Sequence, residues 1–389
     1  MCECHFIRSD EIDRINAIVC GHECVSHCWD LLQNMPRHSV SKSLSKEQVS
    51  RENGRKVLLK DVAVAAGVSV TTASRALSEP QKVQSDTLAR IEAAARKLGY
   101  MPNGAARALR SRRTRLIGTV LPTLDYAIYS RQIAALQRAL GEHGYSLLVT
   151  SSGYSRHEEF RQARTLIERG VEGLVLIGGS HHPDLISMLE EQDIPSIDTY
   201  IYHRGGGRSC IGFDNVAAVA KVINHFIDIG HTRIAMVAGI TKDNDRASGR
   251  VAGVRAALKE RGLSLPARYL IEKPYKIASG REALRSLLSI DPHPTAVFCA
   301  SDVLAFGVLV ECASEGIAVP SQLSVIGFDN LEFCAHLPPG MTTIEVPAAA
   351  MGEGAARHLI ARLAGRTGAE YVELEATLIL RGTTAPPAR

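Results

Sequence analysis

The stretch LKDVAVAAGVSVTTASRALSEPQKVQSDTLARIEAAARKLGYMPNGAARALRSRR, residues 59–113, decides how the N-terminal part of this chain folds. Its first residues carry enough apolar side chains for one short helix, from Lys60 to Ala66. Gly67 follows, and a tight turn between two helices needs the positive φ that glycine adopts freely. The pattern therefore predicts the first helix and the turn of a helix-turn-helix.

A second short helix is predicted from Val70 to Leu77, with Ser69 as its N-cap. Ala73, Ala76 and Leu77 recur at helical spacing and are expected to face the core. The outer face then carries short side chains and one guanidinium, which suit base edges in the DNA major groove. The DNA-binding residues expected here are Ser69, Val70, Thr71, Thr72, Ser74 and Arg75.

A third helix is predicted from Asp86 to Leu98, with Ser85 as its cap and Gly99 just beyond its end. The segments DVAVAAGVS, SRAL and KLGYMPNGAARALRS together resemble the lactose-repressor/galactose-repressor (LacI-type) family of bacterial transcription regulators. The resemblance continues to about Thr384, which leaves out only the first fifty or so residues.

The segment from Pro102 to Arg113 has two interpretations. Asn103 can cap a helix from Gly104 to Arg110 that is too short to be stable alone. The resemblance implies a hinge helix that forms when two subunits meet on DNA. It also implies that Leu109 wedges into the minor groove while Ala106 packs across the pair. Arg110, Arg112, Arg113 and Arg115 are then expected near phosphates. A flexible, charged linker is the alternative.

The charge distribution agrees with a DNA-binding head. The whole chain has a formal charge of +4, but residues 51–115 carry 14 Lys and Arg against 5 Asp and Glu. This segment is therefore strongly basic, and the rest of the chain is mildly acidic. Such a basic head is what binding to a phosphate backbone requires.

From Leu116 onward, short apolar runs alternate with helical patterns. This alternation is typical of a doubly wound parallel sheet. The predicted strands are LIGTVLP, YSLLVTS, GLVLIGG, SIDTYI, RIAMVAG, AVFCAS and LSVIGF. The predicted helices are Arg131–His143, His157–Arg169, Val216–Ile229, Arg246–Arg261, Gly280–Ser289 and Leu304–Glu315. The fold class expected is α/β: an all-α helix-turn-helix head on a two-lobed core like the type I periplasmic binding proteins.

Ligands of such sheets bind in loops at the carboxyl ends of strands, which here carry Tyr126 and Tyr200. The family resemblance implies that Arg250, Ser301 and Asp329 are the main effector contacts. A guanidinium fork and a carboxylate can hold sugar hydroxyls or a carboxylate. Alternatively, Arg250 forms a salt bridge to a nearby Asp, Asp329 caps a loop, and Tyr126 has a loop-packing role. Family members that bind neutral sugars usually have Asn in place of Ser301, which argues against a plain hexose.

Asp302 is expected to cap the helix that begins at Val303. The tract Gly205-Gly206-Gly207 lacks the strand–loop–helix context of a phosphate loop and is expected to be a surface turn. We find no Walker A motif, nucleophile elbow or His-Glu-x-x-His motif, so neither an enzyme nor a cofactor is expected.

The first 28 residues hold five of the nine cysteines and three histidines. They could ligate zinc, but their spacing matches no standard finger, and a poorly ordered extension is preferred. These residues are Cys2, Cys4, His5, Cys20, His22, Cys24, His27 and Cys28. The other four cysteines are expected to be reduced and buried.

No apolar run reaches 18 residues and no signal-peptide pattern opens the chain, so a cytoplasmic protein without a membrane partner is expected. The expected function is a homodimeric repressor that binds operator DNA and is controlled by a small sugar or sugar acid. A periplasmic-type solute-binding protein is the alternative. The predicted boundaries are an extension 1–55, a head 56–101, a hinge 102–114 and an effector domain 115–385. Within it, the family resemblance implies an N-lobe at about 115–213 and 343–372 and a C-lobe at about 214–340 and 373–385.

Overall fold

The computed structural model describes residues 57–104, 108, 113–125, 127–203, 205 and 207–388. Clustering of contacts divides the chain into two compact units, with the break between Met101 and Pro102. The roles predicted for Ala106, Leu109 and Tyr126, and for the N-terminal cysteines and histidines, fall outside the described residues.

The head consists of helices α1 (Leu59–Ala66), α2 (Val70–Ser78) and α3 (Ser85–Leu98). Gly67 ends α1 with φ at 66°, and Ser69 caps α2 by accepting a hydrogen bond from the Thr72 amide at 3.0 Å. Both local predictions are confirmed. The prediction that Ser85 caps α3 is wrong, because α3 begins at Ser85 and Gln84 holds the cap position. The buried core of the head is Val62, Ala63, Ala66, Ala73, Ala76, Ile91 and Ala94.

The described part of the body contains a six-stranded parallel sheet, which we call the N-lobe sheet, and a four-stranded parallel sheet, which we call the C-lobe sheet. The strands are β1 Leu116–Leu121, β2 Ser146–Ser151, β3 Gly173–Ile177, β4 Ser196–Thr199, β5 Cys210–Gly212, β6 Ile234–Ala238, β7 Leu270–Glu272, β8 Ala296–Cys299, β9 Ser324–Ile326 and β11 Tyr371–Glu373. The N-lobe sheet runs in the order β11-β5-β4-β3-β1-β2 and the C-lobe sheet in the order β7-β6-β8-β9.

Helices connect these strands, as parallel pairing requires. They are α4 Ala127–Glu142, α5 Arg156–Glu168, α6 Pro183–Glu191, α7 Asn215–Asp228, α8 Asp245–Glu260, α9 Ile277–Leu288, α10 Asp302–Ser314 and α11 Ala348–Leu363. The predicted fold class is confirmed. Within the described residues, no helix is long and apolar enough to cross a membrane.

The chain passes between the two sheets more than once. Strand β10 (Thr343–Glu345) pairs antiparallel with β12 (Thr377–Ile379), and the segment before and within β10 also hydrogen-bonds the loop after β9. These crossings join the lobes at one side, so the carboxyl ends of the two parallel sheets meet around a cleft.

Two helices were not predicted from the sequence, α6 and α11. Helix α11 contains Gly352 and Gly354, which weaken a helical pattern. In the fold they allow close packing, because a Cβ on Gly352 would lie 2.4 Å from the Gln132 carbonyl of α4. Gly352 therefore lets α11 pack against α4, and Gly354 lets it pack against Ile211 of β5.

Candidate functional site

The outer face of α2 presents the predicted base-reading side chains. Val70, Thr71 and Arg75 are exposed, and Ser74 is half-buried. Ser69 and Thr72 have a structural role as well, because their hydroxyl oxygens lie 2.9 Å apart in addition to the cap bond. The structure thus leaves Val70, Thr71 and Arg75 as the side chains best placed to reach outward.

The end of the hinge segment is bound to the N-lobe. The Arg113 guanidinium donates to Glu172 at 3.0 Å, and the Arg115 amide donates to the same carboxylate at 2.8 Å. Arg113 therefore pairs with a carboxylate of the N-lobe, and its predicted position near a phosphate stays a prediction. Burial opposes ionisation of Glu172, but the bonds from Arg115 and Arg113 outweigh it and lower its pKa. Asn103, near the N-terminal end of the hinge segment, is exposed.

A small cavity of about 30 Å³ lies where the carboxyl ends of strands from both lobes converge. It is lined by Ile128, Tyr129, Tyr154, Tyr200, Asn244, Arg246, Arg250, Tyr275, Ala300, Ser301 and Asp329. The structure therefore brings together the four described effector-contact candidates, Tyr200, Arg250, Ser301 and Asp329. Because the cavity holds little more than a water molecule, a sugar requires the lining to move apart.

Arg250 lies on α8 and is held by neutral groups. Its Nε donates to Asn215 Oδ1 at 3.0 Å, and its Nη1 donates to the Ala300 carbonyl at 2.8 Å. The guanidinium carbon also lies 3.8 Å from the centre of the Phe328 ring. Among the residues that the structure describes, Arg250 forms no salt bridge to an aspartate, so that alternative has no support.

Tyr200 follows β4 and adopts φ of 63°, a conformation that few non-glycine residues adopt. Its hydroxyl donates to the Ile128 carbonyl at 3.2 Å, and its ring meets Tyr129 edge-on at 5.3 Å. Burial raises the pKa of both tyrosines, so both stay protonated. Tyr200 is thus a rigid part of the cavity wall.

Ser301 lines the cavity and also takes the capping role that was predicted for Asp302. Helix α10 begins at Asp302, and the Ser301 hydroxyl caps it by accepting from the Val303 amide at 3.1 Å. Asp302 is fully buried and accepts from the Leu331 amide at 2.7 Å and from the Thr343 hydroxyl at 2.6 Å. The prediction that Asp302 caps the helix is wrong. Its carboxylate instead links α10 to the segments that follow β9 and form β10.

Asp329 lines the cavity and has φ of 123°. Its amide donates to the Ile344 carbonyl at 2.8 Å, which holds the strained backbone in place. Burial raises the pKa of this carboxyl well above its usual range, and the nearby Asp302 adds to the effect. No described residue hydrogen-bonds its side chain, so the alternative of a loop cap has no support.

Several lining residues were not singled out as effector contacts from the sequence. Arg246 precedes Arg250 by one helical turn, and its guanidinium reaches the Ile177 carbonyl of the N-lobe at 2.9 Å. Tyr154 and Tyr275 come from opposite lobes, with ring centres 6.3 Å apart. The i, i+4 spacing of the two arginines was a usable signal. Nothing local indicated that the two tyrosines meet.

Direct polar contacts hold the two lobes together beside the cavity. Arg156 of the N-lobe donates to Asp243 of the C-lobe at 2.7 Å, and Asp245 accepts from the Gly179 amide at 2.7 Å. Arg131 donates to the Asn330 carbonyl at 2.8 Å. The cleft is therefore closed by the chain's own side chains.

Comparison with known proteins agrees with this arrangement. Residues 58–103 match the model for bacterial regulatory proteins of the lacI family, and residues 223–384 match a periplasmic binding protein-like domain. The chain is similar to the HTH-type transcriptional repressor CytR of Escherichia coli strain K12, with 31% identity over 84% of this chain and 96% of the relative. It is also similar to the ribose operon repressor of the same strain, with 32% identity over 84% of this chain and 99% of that repressor.

Among solved structures, the lac repressor dimer bound to operator and the anti-inducer ONPF is similar with a TM-score of 0.75. That match has 25% identity and covers 85% of this chain and all of the other. A helix-turn-helix head on a periplasmic-binding-protein-like body defines a class, the DNA-binding transcriptional regulators. Within that class, the chain belongs to the lacI family of bacterial regulatory proteins. The match of the head argues against the alternative of a solute-binding protein.

Proposed function

We propose that this regulator is a repressor that binds a pseudo-palindromic operator as a homodimer and is controlled by a small sugar or sugar acid. The observation that carries the proposal is the cavity between the lobes, where a guanidinium, a carboxyl group and tyrosine rings converge. Planar donors, acceptors and aromatic faces together are the groups that recognise the hydroxyls and ring faces of sugars. The similarity to a ribose operon repressor supports the same class of ligand.

The head is proposed to read the operator through Val70, Thr71 and Arg75, with Ser69, Thr72 and Ser74 beside them. Asn103 is proposed to begin the hinge helix, in which Leu109 enters the central minor-groove step and Ala106 packs across the pair. Such a wedge kinks the duplex and lets more protein contact DNA. The related lac repressor structure, a dimer on its operator, supports this arrangement.

Effector binding is proposed to change the angle between the lobes and, through it, the pairing of the hinge helices. A ligand shifts such an equilibrium only by its difference in affinity between the two states. Tyr126, Tyr200, Arg250, Ser301 and Asp329 are the proposed contacts. We further propose that the protein acts in the cytoplasm, without enzymatic activity, and that the domain boundaries lie where the sequence places them.

Two measurements test the proposal with the full-length protein. An operator is first selected from random DNA, and Leu109→Ala is compared with the wild type on this operator and on unrelated DNA. The wedge role predicts a much larger loss on the operator, and equal losses would refute it. Thermal-shift screening against sugars and sugar acids then identifies ligands. Hits should change operator affinity, and Arg250→Ala should abolish the thermal shift.

A further inference from the structure

Helix α4 runs from the cleft between the lobes to the end of the hinge segment. It comprises 16 residues, Ala127–Glu142, and at about 1.5 Å per residue it spans roughly 24 Å. Its first turn contributes Ile128 and Tyr129 to the cavity wall. Tyr145, which follows shortly after its last residue, contacts the end of the hinge segment. One helix therefore joins the two regions that an effector-controlled regulator must couple.

At the cleft end, α4 is bound to the C-lobe through Arg131. The Arg131 guanidinium donates to the Asn330 carbonyl at 2.8 Å. Asn330 directly follows the cavity-lining Asp329 and has φ of 50°. Its side-chain oxygen accepts from the Arg381 guanidinium at 2.8 Å. The loop that carries Asp329 is thus bound by one arginine from each lobe.

Backbone hydrogen bonds on both sides of Asn330 fix the direction of its carbonyl group. The Asp329 amide donates to the Ile344 carbonyl at 2.8 Å, and the Leu331 amide donates to the Asp302 carboxylate at 2.7 Å. Because the loop is held in this way by the C-lobe, its carbonyl moves with the C-lobe when the lobes separate. The bond to Arg131 must then break or pull α4 with it.

At the other end, the turn after α4 contacts the last residues of the hinge segment. The Tyr145 hydroxyl accepts a hydrogen bond from the Arg113 guanidinium, which also donates to Glu172 at 3.0 Å. Gly144 leaves room for the next arginine, because a Cβ there would lie 2.8 Å from Nη1 of Arg115. A displacement of α4 along its axis therefore acts on the residues that end the hinge.

Between its two ends, α4 lies close to α11. A Cβ on Gly352 of α11 would lie 2.4 Å from the Gln132 carbonyl and 2.9 Å from the Leu136 amide nitrogen of α4. The closest approach is thus between backbones, without a side chain of Gly352 to interlock the helices. A smooth contact of this kind permits the small sliding of packed helices that accompanies many domain closures.

We propose that α4 carries the state of the cleft to the hinge, with Arg131 and Tyr145 as the positioning residues at its two ends. The inference rests on the proposed function in taking the cleft as the effector site and the segment before Arg113 as the hinge that binds operator. Motion of the loop at Asn330 displaces α4 through Arg131, and the displacement reaches Arg113 through Tyr145. Because coupling between two binding sites is reciprocal, operator bound at the hinge must in turn change the loop at Asp329.

The test uses the full-length protein and an operator duplex selected from random DNA, so no effector has to be known. Hydrogen exchange of residues 329–345 is compared without DNA and with saturating operator. We expect operator to change the exchange rate of this segment by at least about fivefold, the lower end of typical coupling between sites. We call this change the operator effect. An unchanged rate at saturating operator would overturn the proposal.

Substitutions on α4 test the cleft end of the route. Arg131→Gln should remove most of the operator effect, and Arg131→Lys, which keeps a charged donor, should retain part of it. Arg138→Gln is the matched control and should keep the full operator effect, because Arg138 lies on the same helix but pairs with Glu353 inside the N-lobe. A full operator effect in Arg131→Gln would show that the lobes move without α4 as the link, and it would overturn the proposal.

Tyr145→Phe tests the hinge end and also serves if Arg131→Gln fails to fold, because it removes a single hydroxyl. It should reduce the operator effect, and a full effect in this variant would contradict the route. The two substitutions combined should cost no more than the larger single loss, since both residues act in series. Additive losses would place them on separate routes and overturn the proposal.

Operator affinity is measured for every variant by fluorescence anisotropy. A protein that binds no operator would refute the proposed repressor function and this inference with it. A protein that binds operator tightly but leaves the exchange of residues 329–345 unchanged would refute the inference alone. The two failures are therefore distinguishable.

Discussion

Arg156 and Asp243 form an ion pair across the cleft, with Nε 2.7 Å from Oδ1. The arginine opens helix α5 of the N-lobe, and the aspartate lies in the loop before α8 of the C-lobe. Two residues further on, Asp245 accepts from the Gly179 amide. We expect these contacts to resist opening of the cavity.

Asp243→Asn should loosen this closure. Because both partners are partly exposed, the pair is worth about 0.2–1 kcal/mol, which corresponds to at most about fivefold in the opening equilibrium. Hydrogen exchange of the segment around Gly179 should therefore accelerate by up to about that factor. Arg161→Gln is the control, since it breaks a pair with Glu158 on the same helix but within one lobe. Equal exchange in Asp243→Asn and wild type would show that the pair does not hold the cleft closed.

Glu172→Gln should weaken operator binding by about three- to tenfold while leaving effector affinity unchanged. The carboxylate holds Arg113 at the end of the hinge and Arg115 just after it, so its loss frees the hinge from the N-lobe. Operator and effector affinities are measured by fluorescence anisotropy and calorimetry.

Exchanging the charges of Glu172 and Arg113 tests whether the loss of operator binding comes from this ion pair. Glu172→Arg combined with Arg113→Glu should recover part of the affinity that either single substitution loses. Glu168→Gln, which breaks an exposed pair with Arg164, should have no effect. Additive losses in the double variant would contradict a direct coupling between residues 113 and 172.

The stability of the body should fall as the pH rises from about 6.5 to 9. His181 is buried, with Nδ1 2.9 Å from Glu159 and Nε2 3.3 Å from Asp198. Burial alone lowers its pKa, but the two carboxylates outweigh burial and raise the pKa to about 9. The stabilisation is complete below the unfolded pKa of about 6.5 and is lost as the pH passes the folded value. It amounts to about 3 kcal/mol.

Urea unfolding across this pH range measures the effect. His181→Gln should remove most of the pH dependence between pH 6.5 and 9, as well as lowering stability at pH 6.5. His182→Gln is the neighbouring control, because that side chain contacts Asp184 and stacks on Phe160 instead. An unchanged slope in His181→Gln would show that another group titrates there.

Gly307→Ala should destabilise the C-lobe by about 1–3 kcal/mol, because it forces apart two packed helices. A Cβ on Gly307 of α10 would lie 2.2 Å from the Ile277 carbonyl of α9, and that contact is backbone. Gly141→Ala on α4 is the opposite case. A Cβ there meets nothing within 4 Å, so alanine should stabilise by about 0.5–1 kcal/mol. The denaturant midpoints of the two variants test both predictions. A Gly307→Ala variant as stable as the wild type would contradict the packing argument.

The sequence by itself determined the head, because every signal there is local. The turn at Gly67, the cap at Ser69 and the end of α3 at Gly99 each depend on residues only a few positions away. The alternation of apolar runs and helical patterns likewise indicated two doubly wound lobes.

Only the tertiary structure decided how the cleft is built, because its parts are far apart in the sequence. Tyr154 meets Tyr275, and Arg250 reaches Asn215 and Ala300, through folding that no local pattern encodes. Helix α11 was not predicted because its glycines weaken its pattern, yet Gly352 serves a contact with α4 and Gly354 one with β5 that exist only after folding. Local propensity specifies elements one at a time, whereas the chemistry of the cleft arises where distant strand ends converge.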